Sequence, residues 1–345
     1  MLARLIHRKE IALSSVDTNR RVRPFEWGSE FLDIEPLADE TEQQTVERYV
    51  AQVLEDSEAY FAAPPLDNYT FDGEHLRFPS AVRTRWDSNN TVHARFIPAR
   101  KRTKRAVIVL PQWNADGESH VALGRILARF GISALRLSLP YHDVRMPAEL
   151  ERADYMVSGN VGRTLQACRQ AVMDVRNCVD WLGMQGFTSI GITGTSIGSC
   201  IAFLAHAHEP RLRAGVFNHV SAYFADVVWT GISTRHVRKG IEESIDLDTL
   251  RNAWLPISPN AFIHKLKGEE PERSRLMITA RYDLTFLPYL SNWAFEEFQK
   301  HDVAFDKAVL HCGHYTSGRF PFKFQLGYLI TSYLHRNLAG EHASS

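Results

Sequence analysis

From Ala106 onward, short β-branched runs alternate with stretches whose apolar residues recur at helical spacing. AVIVL (106–110) is a continuous apolar run, the pattern of a strand buried on both faces. After it, Val121, Leu123, Ile126, Leu127 and Phe130 fall on one side of a helix closed by Gly131. SALRLSL (133–139) predicts the next strand. Leu165, Cys168, Ala171, Val172, Val175, Cys178, Val179 and Leu182 recur mostly at steps of three and four, the spacing of a long amphipathic helix. SIGIT (189–193), GVFNHV (215–220), RLMITA (275–280) and FDKAVL (305–310) read as further strands. SCIAFLAHA (199–207) and FQLGYLITSYLHRNL (324–338) read as helices. Strands alternating with helices predict an α/β fold, a mostly parallel sheet with helices on both faces.

Two segments stand outside this alternation. Residues 1–74 form an N-terminal extension with one amphipathic helix, carrying Val46, Tyr49, Val50, Val53 and Leu54 and ended near Pro64-Pro65. The main domain is expected over 75–345, entered through an antiparallel pair, EHLRFPSAV and TVHARFIPA. The interval from about 221 to 272 far exceeds the ~2–6 residues of an ordinary connection and predicts a helical lid above the strand ends. The basic run ARKRTKR (99–105) has no aromatic platform beside it, so it reads as an exposed hairpin loop rather than a nucleic-acid patch.

The totals narrow the class. Of 345 residues, 44% are hydrophobic and 23% charged, enough for a sizeable core. Forty basic residues balance forty acidic ones, so no overall field draws the chain to nucleic acid or an anionic membrane. Charges interrupt MLARLIHRKEIALSS before any leader-like apolar core develops, and no stretch approaches the roughly 18 apolar residues of a membrane span. Cys168, Cys178, Cys200 and Cys312 lack metal-ligand or redox spacing and are expected as reduced thiols. A cytoplasmic location is the expectation.

The candidate chemistry lies in GITGTSIGS (191–199). A P-loop needs lysine after its last glycine, and Gly198 is followed by Ser199 and Cys200. The glycine spacing also fails the G-x-G-x-x-G dinucleotide pattern. What fits is G-x-S-x-G: Gly194, Thr195, Ser196, Ile197, Gly198. In a sharp strand-to-helix turn this pattern lifts the central serine clear of the sheet, and a β-carbon at either glycine would collide with backbone. The helix N-terminus that follows aims N–H groups where an oxyanion would form, and Ile197 N–H, directly after the serine, is one such donor.

On these residues the chain resembles the α/β-hydrolase superfamily from about residue 75 to the end. The resemblance implies a triad in the order nucleophile, acid, histidine. RLMITARYDLTFLP then supplies Asp283 as the acid and FDKAVLHCGHY supplies His314 as the base, with Asp226 and His311 as competitors. The second oxyanion donor would come from LPQWNAD (110–116), which departs from the usual His-Gly mark. Its shape is similar to the turn of acetyl-ester deacetylases, with Trp113 in the donor position and Asn114 following. LPYHDVRMP (139–147) resembles the abhydrolase domain-containing 18 family, a branch with no clear substrate.

The expectation is a serine hydrolase of carboxylic esters, working through an acyl-enzyme on a small-molecule substrate with neither metal nor organic cofactor. Asn114, His142, His219, Tyr223 and Trp229 are expected around the pocket. A thioesterase or peptidase would use the same triad, and a non-catalytic binding protein of the same fold is the rival from another class. The sequence leaves the oligomeric state open.

Overall fold

The computed structural model describes residues 2–269 and 272–339. The strands among them are β1 (Thr70–Phe71), β2 (His75–Pro79), β3 (Thr91–Ile97), β4 (Arg105–Leu110), β5 (Ser133–Leu137), β6 (Ser189–Thr195), β7 (Leu212–Asn218), β8 (Ser274–Ala280) and β9 (Asp306–Leu310). They form one sheet in the order β1-β2-β3-β5-β4-β6-β7-β8-β9. The first three pairings, β1/β2, β2/β3 and β3/β5, are antiparallel, and every later one is parallel. The helices are α1 (Leu2–Ser14), α2 (Glu42–Glu55), α3 (Ser57–Tyr60), α4 (Val121–Arg129), α5 (Val161–Met184), α6 (Ile197–His208), α7 (Phe224–Thr230), α8 (Arg235–Ile241), α9 (Leu247–Ala253), α10 (Pro288–Lys300) and α11 (Phe322–Asn337).

Strand β4 explains the layering. Successive side chains of a strand face opposite ways. Val107 and Val109 enter one hydrophobic cluster with Leu127 of α4 and Ile330 and Leu334 of α11. Ala106, Ile108 and Leu110 enter the other, with Val172 of α5 and Ile201 of α6. A run without a polar break therefore needs helices on both sides, as the pattern predicts. The spatial order reverses at β4, with β5 on one side and β6 on the other. Loops leaving neighbouring strands diverge at such a point and leave a crevice at their carboxyl ends.

Two expectations at the edges need correcting. The run 99–105 is not a hairpin, because β5 lies between β3 and β4. It is an exposed connection to a strand one place further in. Phe130, assigned to the buried side of α4, is 56% exposed, since the helix ends at Arg129 and the chain turns away.

The N-terminal segment contains two more helices than expected, the short α3 and α1, whose Arg4, His7, Arg8, Lys9 and Glu10 hide its periodicity. In α2, Val46, Tyr49, Val50 and Val53 are buried, whereas Leu54 is largely exposed. Thr41 and Gln44 form a capping box at its start. It ends at Glu55, well before Pro64-Pro65, because Asp56 caps the short α3. The apolar face of α2 belongs to the same cluster as β4, and β1 joins the sheet before residue 75. Between Ser221 and Glu269 the chain is largely helical, through α7, α8, α9 and two 3-10 stretches. All four cysteines are buried free thiols. No helix among the described residues is long and apolar enough to cross a membrane.

Candidate active site

Ser196 stands alone between the last residue of β6 and the first of α6, with φ 58° and ψ −123°. Residues with a β-carbon avoid this region, at a cost of about 1–3 kcal/mol. Packing imposes it. A β-carbon on Gly194 would lie 2.0 Å from the Gly198 carbonyl oxygen, and one on Gly198 would lie 2.4 Å from that of Pro111. The two glycines thus let the turn close on itself and against the loop after β4. The Ser196 carbonyl accepts from the Ser199 hydroxyl at 2.8 Å, and Ser196 N–H donates to the Asn218 carbonyl at 2.9 Å. Ile197 is the first residue of α6, where an N–H has no partner within its own helix.

Asp283 follows β8 by three residues and is almost fully buried. Its Oδ1 accepts the N–H groups of Thr285 and Phe286 at 2.7 and 2.8 Å, and its Oδ2 lies 3.2 Å from His314 Nδ1. Burial alone would raise this carboxyl, but the imidazoles of His314 and His219 hold it well below the usual carboxylate range. His314 lies on the loop after β9, its ring stacked on Phe286 at 5.5 Å. That loop is tied down from the far end of the chain. The buried Glu10 carboxylate of α1 accepts the N–H groups of Tyr315 and Thr316 at 2.9 and 2.8 Å. A β-carbon on Gly313 would meet Glu10 Cδ at 2.3 Å, so the glycine makes room for it.

His219 is not at the pocket surface. It is buried behind the pair, its Nδ1 2.8 Å from Asp283 Oδ2 but off the line of a hydrogen bond, and its ring 4.3 Å from that of His314. Burial pushes this imidazole down, and His314 adds to that against the pull of Asp283. His219, Asp283 and His314 place one ligand atom each within 4.8 Å of one another. Asp283 Oδ1 already engages two backbone donors there, and both imidazoles turn Nδ1 to its Oδ2.

The loop after β4 carries Trp113 and Asn114. Asn114 adopts φ 60°. Its N–H donates to His142 Nε2 at 2.9 Å, and its Oδ1 accepts from Ala153 N–H at 3.2 Å. His142 must therefore carry its proton on Nδ1, which reaches the Pro140 carbonyl at 2.8 Å. Burial lowers its pKa to about 4, so the imidazole is neutral and can accept. Asn114 and His142 fix the loop rather than line a pocket. Trp113 Nε1 donates to the Ala153 carbonyl at 2.9 Å, and its ring stacks on His236.

Two cavities meet at Ser196. One, of ≈ 50 Å³, is apolar and bounded by Trp113, Ile197, Tyr223, Phe224, Val228 and Phe286. The other, of ≈ 300 Å³ and termed the polar cavity for its lining residues, is bounded mainly by polar and charged side chains, among them Arg20, His120, Arg152, His314 and Tyr315, together with Trp113. Ser196 and His314 line the second cavity together. Of the residues expected at the pocket, Tyr223 lines it. Trp229 does not, since it packs under the Arg238 guanidinium at 5.3 Å. Asp226 is bound by Arg251 at 2.7 and 2.8 Å, and His311 is exposed. Glu10, Arg20, His120 and Arg152 were not foreseen. His120 alone carried a signal, lying just before the α4 pattern, where its Nε2 comes 3.0 Å from Thr195 Oγ1.

No protein-family model matches this sequence, and no curated protein does. Among solved structures, acetyl xylan esterase 1 from Thermoanaerobacterium sp. JW/SL YS485 is similar, with a TM-score of 0.59 at 14% identity, covering 92% of this chain and 99% of that one. An esterase from Pyrococcus furiosus has a TM-score of 0.53 at 13% identity, covering 80% and 98%. Acylaminoacyl peptidase from Pyrococcus horikoshii has a TM-score of 0.59 at 14% identity, covering 81% of this chain. Only 43% of that peptidase is matched, so this chain spans less than half its length. The chain has the α/β-hydrolase fold.

Proposed function

We propose that this protein is a serine hydrolase that cleaves carboxylic esters of small molecules through an acyl-enzyme. Ser196 Oγ attacks the ester carbonyl while His314 Nε2 takes its proton. Asp283 holds Nδ1–H of the same ring, fixing the tautomer and stabilising the imidazolium that forms. The tetrahedral oxyanion is held by the Ile197 and Trp113 backbone N–H groups, each such donor stabilising the transition state by about 2.7–4 kcal/mol. His314 then gives the proton to the departing alkoxide. Water, activated by the same imidazole, returns Ser196 and releases the acid. No step calls for a cofactor.

The observation that carries this reading is the strained Ser196 facing one cavity with His314, whose other nitrogen meets the buried Asp283. Likeness to esterase folds is consistent with it and carries less weight. The narrow apolar cavity favours a short acyl group. Thioester and peptide bonds are open to the same groups, and a rate series over matched ester, thioester and anilide substrates orders them. Ser196→Ala tests the chemistry: hydrolysis of p-nitrophenyl acetate should fall by roughly 10⁶-fold with the fold intact. Retention of most of the activity would contradict the proposal.

A further inference from the structure

Two guanidinium groups converge on the polar cavity. Arg20 comes from the segment after α1. Its Nη2 donates to the Tyr315 hydroxyl at 2.9 Å and lies 3.3 Å from Asp17 Oδ2. Arg152, 3% exposed, covers the Trp113 ring at 5.2 Å and places Nη1 3.1 Å from the same Asp17 oxygen. Neither Nε makes a hydrogen bond, although Arg152 Nε has Asp154 at 3.6 Å. Asp154 is shared with Arg23 at 3.3 Å. His236, packed beside them, is kept neutral by burial first and then by Arg20 and Arg152. Along the cavity wall Arg20 and Arg152 thus share one oxygen of Asp17, while Asp154 stands off the wall beside Arg152 and Arg23.

The side of the site follows from His314. It lines the polar cavity and not the apolar one, so the alcohol it protonates departs through the polar cavity. Arginine pairs with a carboxylate through parallel charge-assisted hydrogen bonds, and Asp17 shows that a carboxylate oxygen fits between these two. Asp17 itself is 40% exposed, on a segment outside the sheet, so it can yield the position.

We propose that the preferred substrates are esters whose alcohol carries a carboxylate, gripped by Arg20 and Arg152 where the Asp17 oxygen now lies. This specificity rests on the ester-hydrolase reading above. The N-terminal segment then serves as the specificity wall of the site.

Two esters test it, 4-acetoxyphenylacetate and its methyl ester, in which a methylene insulates the leaving phenol from the charge. The wild-type protein should favour the anion in kcat/KM by about tenfold at low salt, the worth of one charged hydrogen bond. Arg20→Gln should remove most of the preference, read as the ratio of the two esters within that variant, while Asp17→Asn should raise the preference by removing the competing carboxylate. Equal rates for both esters in the wild-type protein would overturn the proposal, as would a preference undiminished in Arg20→Gln. A binding arm separates this from the chemistry, with calorimetry of 4-hydroxyphenylacetate on Ser196→Ala and on Ser196→Ala with Arg20→Gln. Binding that needs Arg20, without ester turnover in the wild-type protein, would sink the hydrolase reading and keep the carboxylate site. Turnover with no such binding would do the reverse.

Discussion

Asp174 and Asp283 are both buried carboxylates facing cationic or basic partners, yet they are built for different ends. Asp174, on α5, accepts from the Ser80 hydroxyl at 2.7 Å and from Arg145 Nη1 at 2.9 Å. Arg145, fully buried, also donates to the carbonyls of Ser138 and Asn89 at 3.0 and 2.9 Å. Burial pushes the Asp174 carboxyl up against the pull of Arg145 and Ser80. The group is closed: its partners are protein atoms and none lines either cavity at Ser196. Asp283 is as well buried, but its partner His314 has one edge on a cavity shared with a strained serine. Partnering makes a buried charge tolerable in both places. Under the proposed function, a route from the partner to solvent is what separates a reactive pair from a stapling one. LPYHDVRMP belongs to the stapling pair, through Arg145.

The comparison breaks first at Asp283→Asn. The amide keeps an oxygen for the Thr285 and Phe286 N–H groups but can no longer hold the imidazole tautomer. Ester turnover should fall by roughly 10⁴-fold with little change in the unfolding midpoint. A large loss of stability with preserved turnover of the folded fraction would reverse the two roles. Asp174→Ala should do the opposite. It leaves Arg145 buried without its counter-charge and should cost about 3–5 kcal/mol in denaturant unfolding, with kcat per folded molecule unchanged.

Next in size is the response to acid. Folded His142 and His120 are held to about 4 by burial, below their ordinary value of 6.5. The unfolded chain therefore binds more protons between about pH 6.5 and 4. Stability should decline as pH falls through that window, by on the order of 3 kcal/mol per such group, and be fully present above it. Chemical unfolding at pH 7.5, 5.5 and 4.5 reads the slope. His142→Asn, whose amide oxygen can still accept from Asn114, should flatten it, and an unchanged slope would remove His142 from the support of the Trp113 loop. The smallest effect is expected for Glu10→Gln, which keeps one acceptor for the Tyr315 and Thr316 N–H groups. About 1 kcal/mol should be lost, with faster amide exchange confined to residues 313–318.

What the sequence disclosed follows the range of each interaction. The β-branched runs, the glycines around Ser196 and the place of Asp283 and His314 after their strands are local patterns, and each lies where local rules put it. The order of the sheet was less accessible, because nothing in ARKRTKR tells whether the next strand pairs with β3 or passes beyond β5. Glu10 and Arg20 were invisible for a related reason. Each meets the loop of His314 across about three hundred residues, and neither bears a mark before the chain folds. His142 and His219 were expected near the site for being at strand ends. They are near it, but their ring nitrogens face a loop N–H and a carboxylate instead of the cavity.

Fluorophosphonate labelling followed by peptide mass spectrometry addresses the reactive serine most directly. The folded protein should carry a single adduct on Ser196, which disappears in Ser196→Ala and is slowed by several orders of magnitude in His314→Ala. An unlabelled Ser196 in the folded wild-type protein, or equal labelling with and without His314, would contradict the assignment of that bend as a catalytic nucleophile.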